Sequence, residues 1–343
     1  MEKKRTFIPK SHLIVLVAGA ALVAVVVFFF MRTHRSLANI HPNDKITIAY
    51  SSTTDAILAE VALEQGYFLQ EGLEVAPHIF PYGKLALNDV LEGKADFATV
   101  AETPVMLAIM NGEELSIVAT IETSNKNNAL VARKDRGILT PNDLKGKRVA
   151  TSVGTSGDYY LDVYLTLHGI DRKDVTVIYL KAEDLPDALA NGKVDAISTF
   201  YHYVIYAQRK LGADGITFND EDIYTFTFNI VAKQEFIHDN PEAVKKMLRA
   251  LIKAEEFVRR HPDAAQKIDA DFSKIELSIV QEMWADRTYT VALDQSLVLA
   301  LEDESRWAIE GGLTTQKSVP DYLDYIYVDG LMSVKPEAVR FLK

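Results

Sequence analysis

The chain has 343 residues, 48% hydrophobic and 25% charged, values that exclude bulk disorder and suit two compact lobes behind an N-terminal segment. Its formal net charge is -11, and residues 1–43 hold six basic side chains against the single acid Glu2, so the rest carries about -16 and repels nucleic acid and anionic lipid. Cysteine is absent, which excludes a disulfide framework, a thiolate metal site and lipid attachment through an N-terminal Cys.

Residues 13–31 (LIVLVAGAALVAVVVFFFM) form an unbroken apolar run, roughly 28 Å long as a helix and enough to cross the hydrocarbon core. A signal-peptide core is about 7–15 residues long and ends at a small-x-small site. This run ends instead in Phe28, Phe29, Phe30 and Met31, followed by Arg32 and Arg35. The N-terminal flank, with Lys3, Lys4, Arg5 and Lys10, is the more positive and belongs in the cytoplasm. The reading is a cytoplasmic tail over 1–12, an uncleaved transmembrane anchor over 13–31 and a linker over 32–43. The body is then anchored to the inner membrane on its periplasmic or extracellular face. A cleaved, secreted form, cut after residues 36–38, is the alternative.

Beyond the linker, strand and helix signals alternate. Residues 45–50 (KITIAY) read as a buried strand, and Ser51, Ser52, Thr53 and Thr54 as a turn and helix cap. Ile57, Leu58, Val61 and Ala62 recur at helical spacing up to Gly66. Residues 73–76 make a second strand, residues 88–92 open a helix, and 97–100 (FATV) are a third strand. The pattern then recurs: a strand at 147–151, a glycine-flanked turn at 154–157, a helix at 160–168, and strands at 175–179 and 196–199. Repeated βα units predict mostly parallel sheets covered by helices, an α/β architecture. In the tail, Asn240 and Pro241 open a helix with Val244, Leu248, Leu251 and Ile252 on one face, and a later helix spans 296–310.

Two pairs of segments repeat at nearly one offset. Gly93-Lys94-Ala95-Asp96 matches Gly192-Lys193-Val194-Asp195, and LVARKD at 130–135 matches IVAKQE at 230–235. Together they indicate a duplicated lobe, with the chain crossing between lobes near 130–133 and returning near 230–233. The lobes are then 44–131 with 232–343, and 132–231.

The segments KITIAYSST, LEGKADFATV, LKGKRVATSVGTSG, NGKVDAIST and IVAKQEFIHDNPEAVKKMLRALIKAEEFVRRHPDAA resemble, in this order over residues 45–315, the solute-binding proteins of ABC importers of the nitrate, sulfonate and taurine type. These belong to the periplasmic binding protein-like II group, which includes thiamine-pyrimidine synthases. The resemblance implies two α/β lobes of the type II fold joined by two hinge strands, a ligand in the cleft between them, and an ABC permease with its ATPase as partners. Where such proteins commonly carry a Trp-x-Pro-like element, this chain has Thr199, Phe200, Tyr201 and His202, so ligand identity does not carry over.

In open α/β sheets ligands bind beyond the carboxyl ends of strands, at helix N-termini. That rule selects Ser51, Ser52 and Thr53; Glu102 and Thr103; Ser124 with Thr123 and Asn125; Gly154, Thr155, Ser156 and Gly157; and Thr199, Tyr201 and His202. The two glycines at 154–157 allow close backbone approach, and free N–H groups with two hydroxyls suit an oxyanion. The other reading is an ordinary capped turn. Glu102, if it faces the cleft, disfavours a bare anion and favours an amine or ring N–H; otherwise it is a solvated loop carboxylate. Phe200, Tyr201 and Tyr203 can wall a planar ligand, and Tyr224, Phe226 and Asn229 are lesser candidates.

No Gly-x-Ser-x-Gly, His-Glu-x-x-His, Walker or Gly-x-Gly-x-x-Gly motif occurs. The Cys-rich motif of the pyrimidine synthases has no counterpart in a chain without Cys. The expected function is therefore non-enzymatic capture of a small polar organic ligand, a sulfonate, nitrate-like anion or nitrogen compound, by a monomer that needs no cofactor or metal. A membrane-anchored sensing module is the alternative, and an enzyme on the same fold a lesser one.

Overall fold

The computed structural model describes residues 44–220 and 223–341; the tail, anchor and linker expected over 1–12, 13–31 and 32–43 lie outside them. Asp44–Lys343 forms one compact unit. Among the described residues no helix is long and apolar enough to cross a membrane.

Strands β1 (Asp44–Ser51), β2 (Leu73–Phe80), β3 (Phe97–Ala101) and β4 (Leu115–Ser124) come first. They are followed by β5 (Asn128–Arg133), β6 (Arg148–Thr151), β7 (Thr176–Tyr179), β8 (Ala196–Phe200) and β9 (Gly215–Phe218). The chain then adds β10 (Phe226–Lys233), β11 (Arg287–Asp294) and β12 (Val339–Arg340). Two sheets result, ordered β12-β11-β4-β10-β3-β1-β2 and β7-β6-β8-β5-β9. Every residue of β3 and β8 is buried, as strands covered by helices on both faces require.

The duplication is visible in the pairing. β1 runs parallel to β2 and β3, and β6 runs parallel to β7 and β8. β10 lies antiparallel between β3 and β4, as β5 lies between β8 and β9. Asp96 and Asp195, the last residues of the two repeated motifs, act alike. Asp96 Oδ2 accepts the Thr47 N–H at 2.7 Å, and Asp195 Oδ2 accepts that of Arg148 at 2.9 Å. Each carboxylate thus prolongs the hydrogen bonding of a parallel strand pair where the next strand enters.

The crossings differ from those expected. Residues 130–133 lie inside β5, within the second sheet, and 230–233 inside β10, within the first. The chain passes between sheets over 125–127 and returns between β9 and β10, so the boundaries at 131/132 and 231/232 fall within strands. The repeated LVAR and IVAK segments are central strands, apolar because both faces are covered, and that pattern does not mark a hinge. The helix Pro241–Arg260 buries Val244, Met247, Leu248, Leu251 and Val258, with Ile252 half-buried. Asn240 does not cap it; its amide donates back to the Phe236 carbonyl at 3.1 Å. The later helix, Gln295–Glu310, is capped by Asp294, which accepts the Ser296 N–H at 3.0 Å.

Candidate ligand-binding cleft

Helices Ile57–Glu64, Gly83–Leu91 and Glu102–Met110 start just beyond β1, β2 and β3. Ser156–Leu167 and Tyr201–Leu211 start beyond β6 and β8. Their N-terminal ends converge where the two sheets face each other, each bringing unpaired N–H groups and the positive end of a helix dipole. The cleft there is lined by Thr53, Asp55, Tyr82, Gly83, Lys84, Ala101, Pro104, Phe226 and Phe228 from the first lobe. Asn127 enters from the crossing, and Thr155, Ser156 and Phe200 from the second lobe. About 20 Å³ remains for the centre of a water-sized sphere, room for little more than a water, so a larger solute must part the lobes to enter.

Of the expected residues, Thr53, Thr155, Ser156, Phe200 and Phe226 meet in the cleft. Ser51 is buried behind it, its Oγ 2.7 Å from Thr53 Oγ1 and its N–H donating to Thr99 Oγ1 at 2.8 Å. Gly157 packs under the helix start, where an added Cβ would lie 3.2 Å from the Ser198 carbonyl. Gly154, at φ +64°, brings the turn against the first lobe: a Cβ there would lie 2.9 Å from Leu107 Cδ1 and 3.0 Å from Lys84 Nζ. Its N–H donates to Asp158 Oδ2 at 2.9 Å, and Arg172 holds Asp158 Oδ1 at 3.0 Å. Thr199 is buried, with Oγ1 unpartnered, and Tyr201 is half-buried. Ser52 and His202 line a neighbouring groove. Ser124 turns away, donating to the Asp286 carbonyl at 2.9 Å.

Glu102 and Thr103 do not face the cleft. Glu102 is fully buried, and its Oε2 accepts the Thr227 N–H at 2.7 Å and the Thr227 hydroxyl at 3.0 Å. Thr227 sits between Phe226 and Phe228, so strand alternation turns it from the face those rings present. Thr103 donates to Glu304 Oε1 at 2.7 Å, and the Glu102 and Glu304 carboxyls form a buried pair. Burial pushes Glu102 up to about 8 against the Thr227 hydrogen bonds, and burial with the charge of Glu102 holds Glu304 well above the usual range. The pair therefore keeps a proton at neutral pH, and Glu102 does not oppose an anion in the cleft.

Lys84, Tyr82, Gly83, Asp55 and Asn127 were not expected at the site. Lys84 Nζ crosses the cleft to the Val153 carbonyl at 2.6 Å, and burial lowers its pKa while Asp158 opposes that. Gly83 is required by close packing, since a Cβ would lie 2.8 Å from Val100 Cα. The signal was the strand-end rule itself, missed because β2 runs to Phe80 rather than stopping near residue 76.

Behind the cleft, buried Arg287 contacts Asp55 at 3.0 Å, Glu122 at 3.3 Å, the Thr54 carbonyl at 2.8 Å and Asn127 Oδ1 at 2.9 Å. This guanidinium ties the loop after β1 to the crossing segment. Asn127 is thereby oriented with its oxygen on Arg287, and its Nδ2, also buried, has no partner. Among the described residues no group of three or more His, Asp or Glu is placed to hold a metal.

Three comparisons bear on this arrangement. The taurine-binding periplasmic protein of Escherichia coli (strain K12) is 24% identical over 216 residues, 61% of this chain and 65% of that protein. The alkanesulfonate-binding protein SsuA from Xanthomonas axonopodis pv. citri, solved bound to MOPS, superposes with a TM-score of 0.72 at 20% identity, over 82% of this chain and 98% of that one. The periplasmic aliphatic sulphonate binding protein SsuA from Escherichia coli gives 0.70 at 18%, over 83% and 98%. The fold is thus the two-lobed mixed α/β fold of periplasmic binding proteins. The NMT1/THI5-like family model matches residues 54–265, more than half of the 343, and the chain belongs to that family.

Proposed function

We propose that the protein is the extracytoplasmic solute receptor of an ABC importer, and that it takes a small organic sulfonate between its lobes. The observation that carries this reading is the unpartnered Nδ2 of Asn127, a buried donor in the cleft. A buried donor without an acceptor is costly, and an oxyanion relieves it. The helix starts at Gly83 and Ser156 and the ammonium of Lys84 supply further donors to the same space. Tyr82, Phe200, Phe226 and Phe228 surround those donors with ring surface, which suits an organic substituent and gives a bare inorganic anion nothing to bury. Relatives named for taurine and alkanesulfonate binding agree with this chemistry. The body works outside the cytoplasm, tethered through residues 13–31 as a monomer beside its permease and ATPase, and does no covalent chemistry on the ligand.

Calorimetric titration of the full-length chain with ethanesulfonate, taurine and nitrate tests the reading. Saturable binding of a sulfonate, with nitrate much weaker, supports it; binding of nitrate alone, or of no sulfonate, overturns it. Resistance of the protein to alkaline extraction from membranes tests the tether, and quantitative release would refute it.

A further inference from the structure

Beside the cleft runs an open groove of about 410 Å³, against about 20 Å³ for the cleft by the same measure. Ile79 and Ile275 border it from the first lobe, and His202, Tyr203 and Tyr206 from the second. The two spaces adjoin: Ser52 of the groove precedes Thr53 of the cleft. Phe200 of the cleft lies 6.1 Å from the His202 ring and 6.2 Å from that of Tyr203.

His202 is only 3% exposed, and among the described residues neither ring nitrogen has a hydrogen-bond partner in the protein. Burial, then the charge of Arg287, push its pKa down to about 3, so the imidazole is neutral and offers one donor and one acceptor. Tyr203 and Tyr206, 6.4 Å apart, present ring surface, and Ile79 is 57% exposed. Acidic charge surrounds the tyrosines, Glu183 and Asp184 acting on Tyr203 and Glu276 on Tyr206. Of the basic groups at hand, Arg209 pairs with Glu276 at 2.8 Å, and Lys274, which keeps its charge, is turned to the Asp271 carbonyl at 2.6 Å, so acidic charge stays in excess. The groove therefore disfavours an anion.

We infer that the groove is a second subsite, taking an uncharged nitrogen-containing aromatic ring carried on the sulfonate held in the cleft. The ring lies against Tyr203 and Tyr206, its nitrogen accepts from His202, and the bound molecule bridges both lobes. The inference rests on the sulfonate reading above.

The test is titration of the full-length chain at pH 8 with ethanesulfonate, 2-phenylethanesulfonate and 2-(4-pyridyl)ethanesulfonate. Burying a ring strengthens binding by about tenfold or more, so the phenyl ligand exceeds ethanesulfonate and the pyridyl ligand exceeds both. Tyr206→Ala and, on the opposite wall, Ile79→Asp remove that gain while leaving ethanesulfonate affinity unchanged. Ile79 is exposed, so its replacement spares the core. Equal affinities for ethanesulfonate and the two ring ligands, or variants that weaken all three alike, overturn the subsite and leave the sulfonate reading standing. Failure of all three to bind overturns both.

Discussion

Lys84 and Asn127 supply donors to the cleft from opposite origins, a helix start and an interlobe crossing. A hydrogen bond to a charged partner is worth about 1.5–3 kcal/mol, so Lys84→Met should weaken sulfonate binding by about 10- to 100-fold. Asn127→Ala should also weaken it, both measurable by titration calorimetry. Glu102 sets a pH dependence. Its folded pKa, about 8, lies above the ordinary carboxyl value, so its contribution is full below about pH 4.5 and is lost as pH rises through 8. The melting temperature should therefore fall progressively between about pH 5 and 8 and level off above that, and Glu102→Gln should flatten this decline; an unchanged decline would refute the shared proton. His202 acts in the opposite sense. Its pKa is lowered to about 3, so its contribution is present above about 6.5 and is lost as pH falls.

Among the elements, the helix Gly83–Leu91 approaches β3 so closely that Gly83→Ala forces Cβ to within 2.8 Å of Val100 Cα. Overpacking of this kind costs about 1–3 kcal/mol, and chemical denaturation should show it. This helix also marks how far the sequence was legible. The strands β1, β3, β6 and β8 and the turn Gly154–Gly157 follow from buried apolar runs bounded by glycines, and Thr53, Thr155 and Ser156 followed from their ends. The end of β2 was missed because His78 and Pro77 interrupt its apolar pattern: the strand is exposed over Pro77–Ile79, and an edge strand carries a weak signal. Glu102 and the hinges misled for a different reason. Sequence shows that a charge follows a strand, but tertiary packing decides whether it meets solvent, ligand or another carboxyl such as Glu304.

For the whole molecule, closure rests on a few contacts between lobes. Trp307 Nε1 donates to Asp162 Oδ2 at 2.5 Å, the Tyr159 ring packs on Trp307 at 5.3 Å, and Arg209 pairs with Glu276. The helix Leu277–Trp284 adds apolar contact, Ile279 and Val280 packing against Ile205. Asp162 lies outside the cleft lining, so Asp162→Ala should loosen closure and speed ligand release with little effect on association. Stopped-flow kinetics would check this, and an unchanged release rate would deny the contact a part in closure.

The exchange of a central strand also bears on the order in which the protein is made. The second sheet draws all five strands from residues 128–218 and is complete once that stretch has been synthesised. The first sheet lacks β10, which lies between β3 and β4, until residues 226–233 arrive. Until then β3 and β4 expose unpaired strand edges. The lobe encoded in the middle of the gene should therefore fold first, while the lobe that begins the body waits open for its keystone. Until β10 arrives, that half-built sheet is the part of the nascent chain most in need of a chaperone.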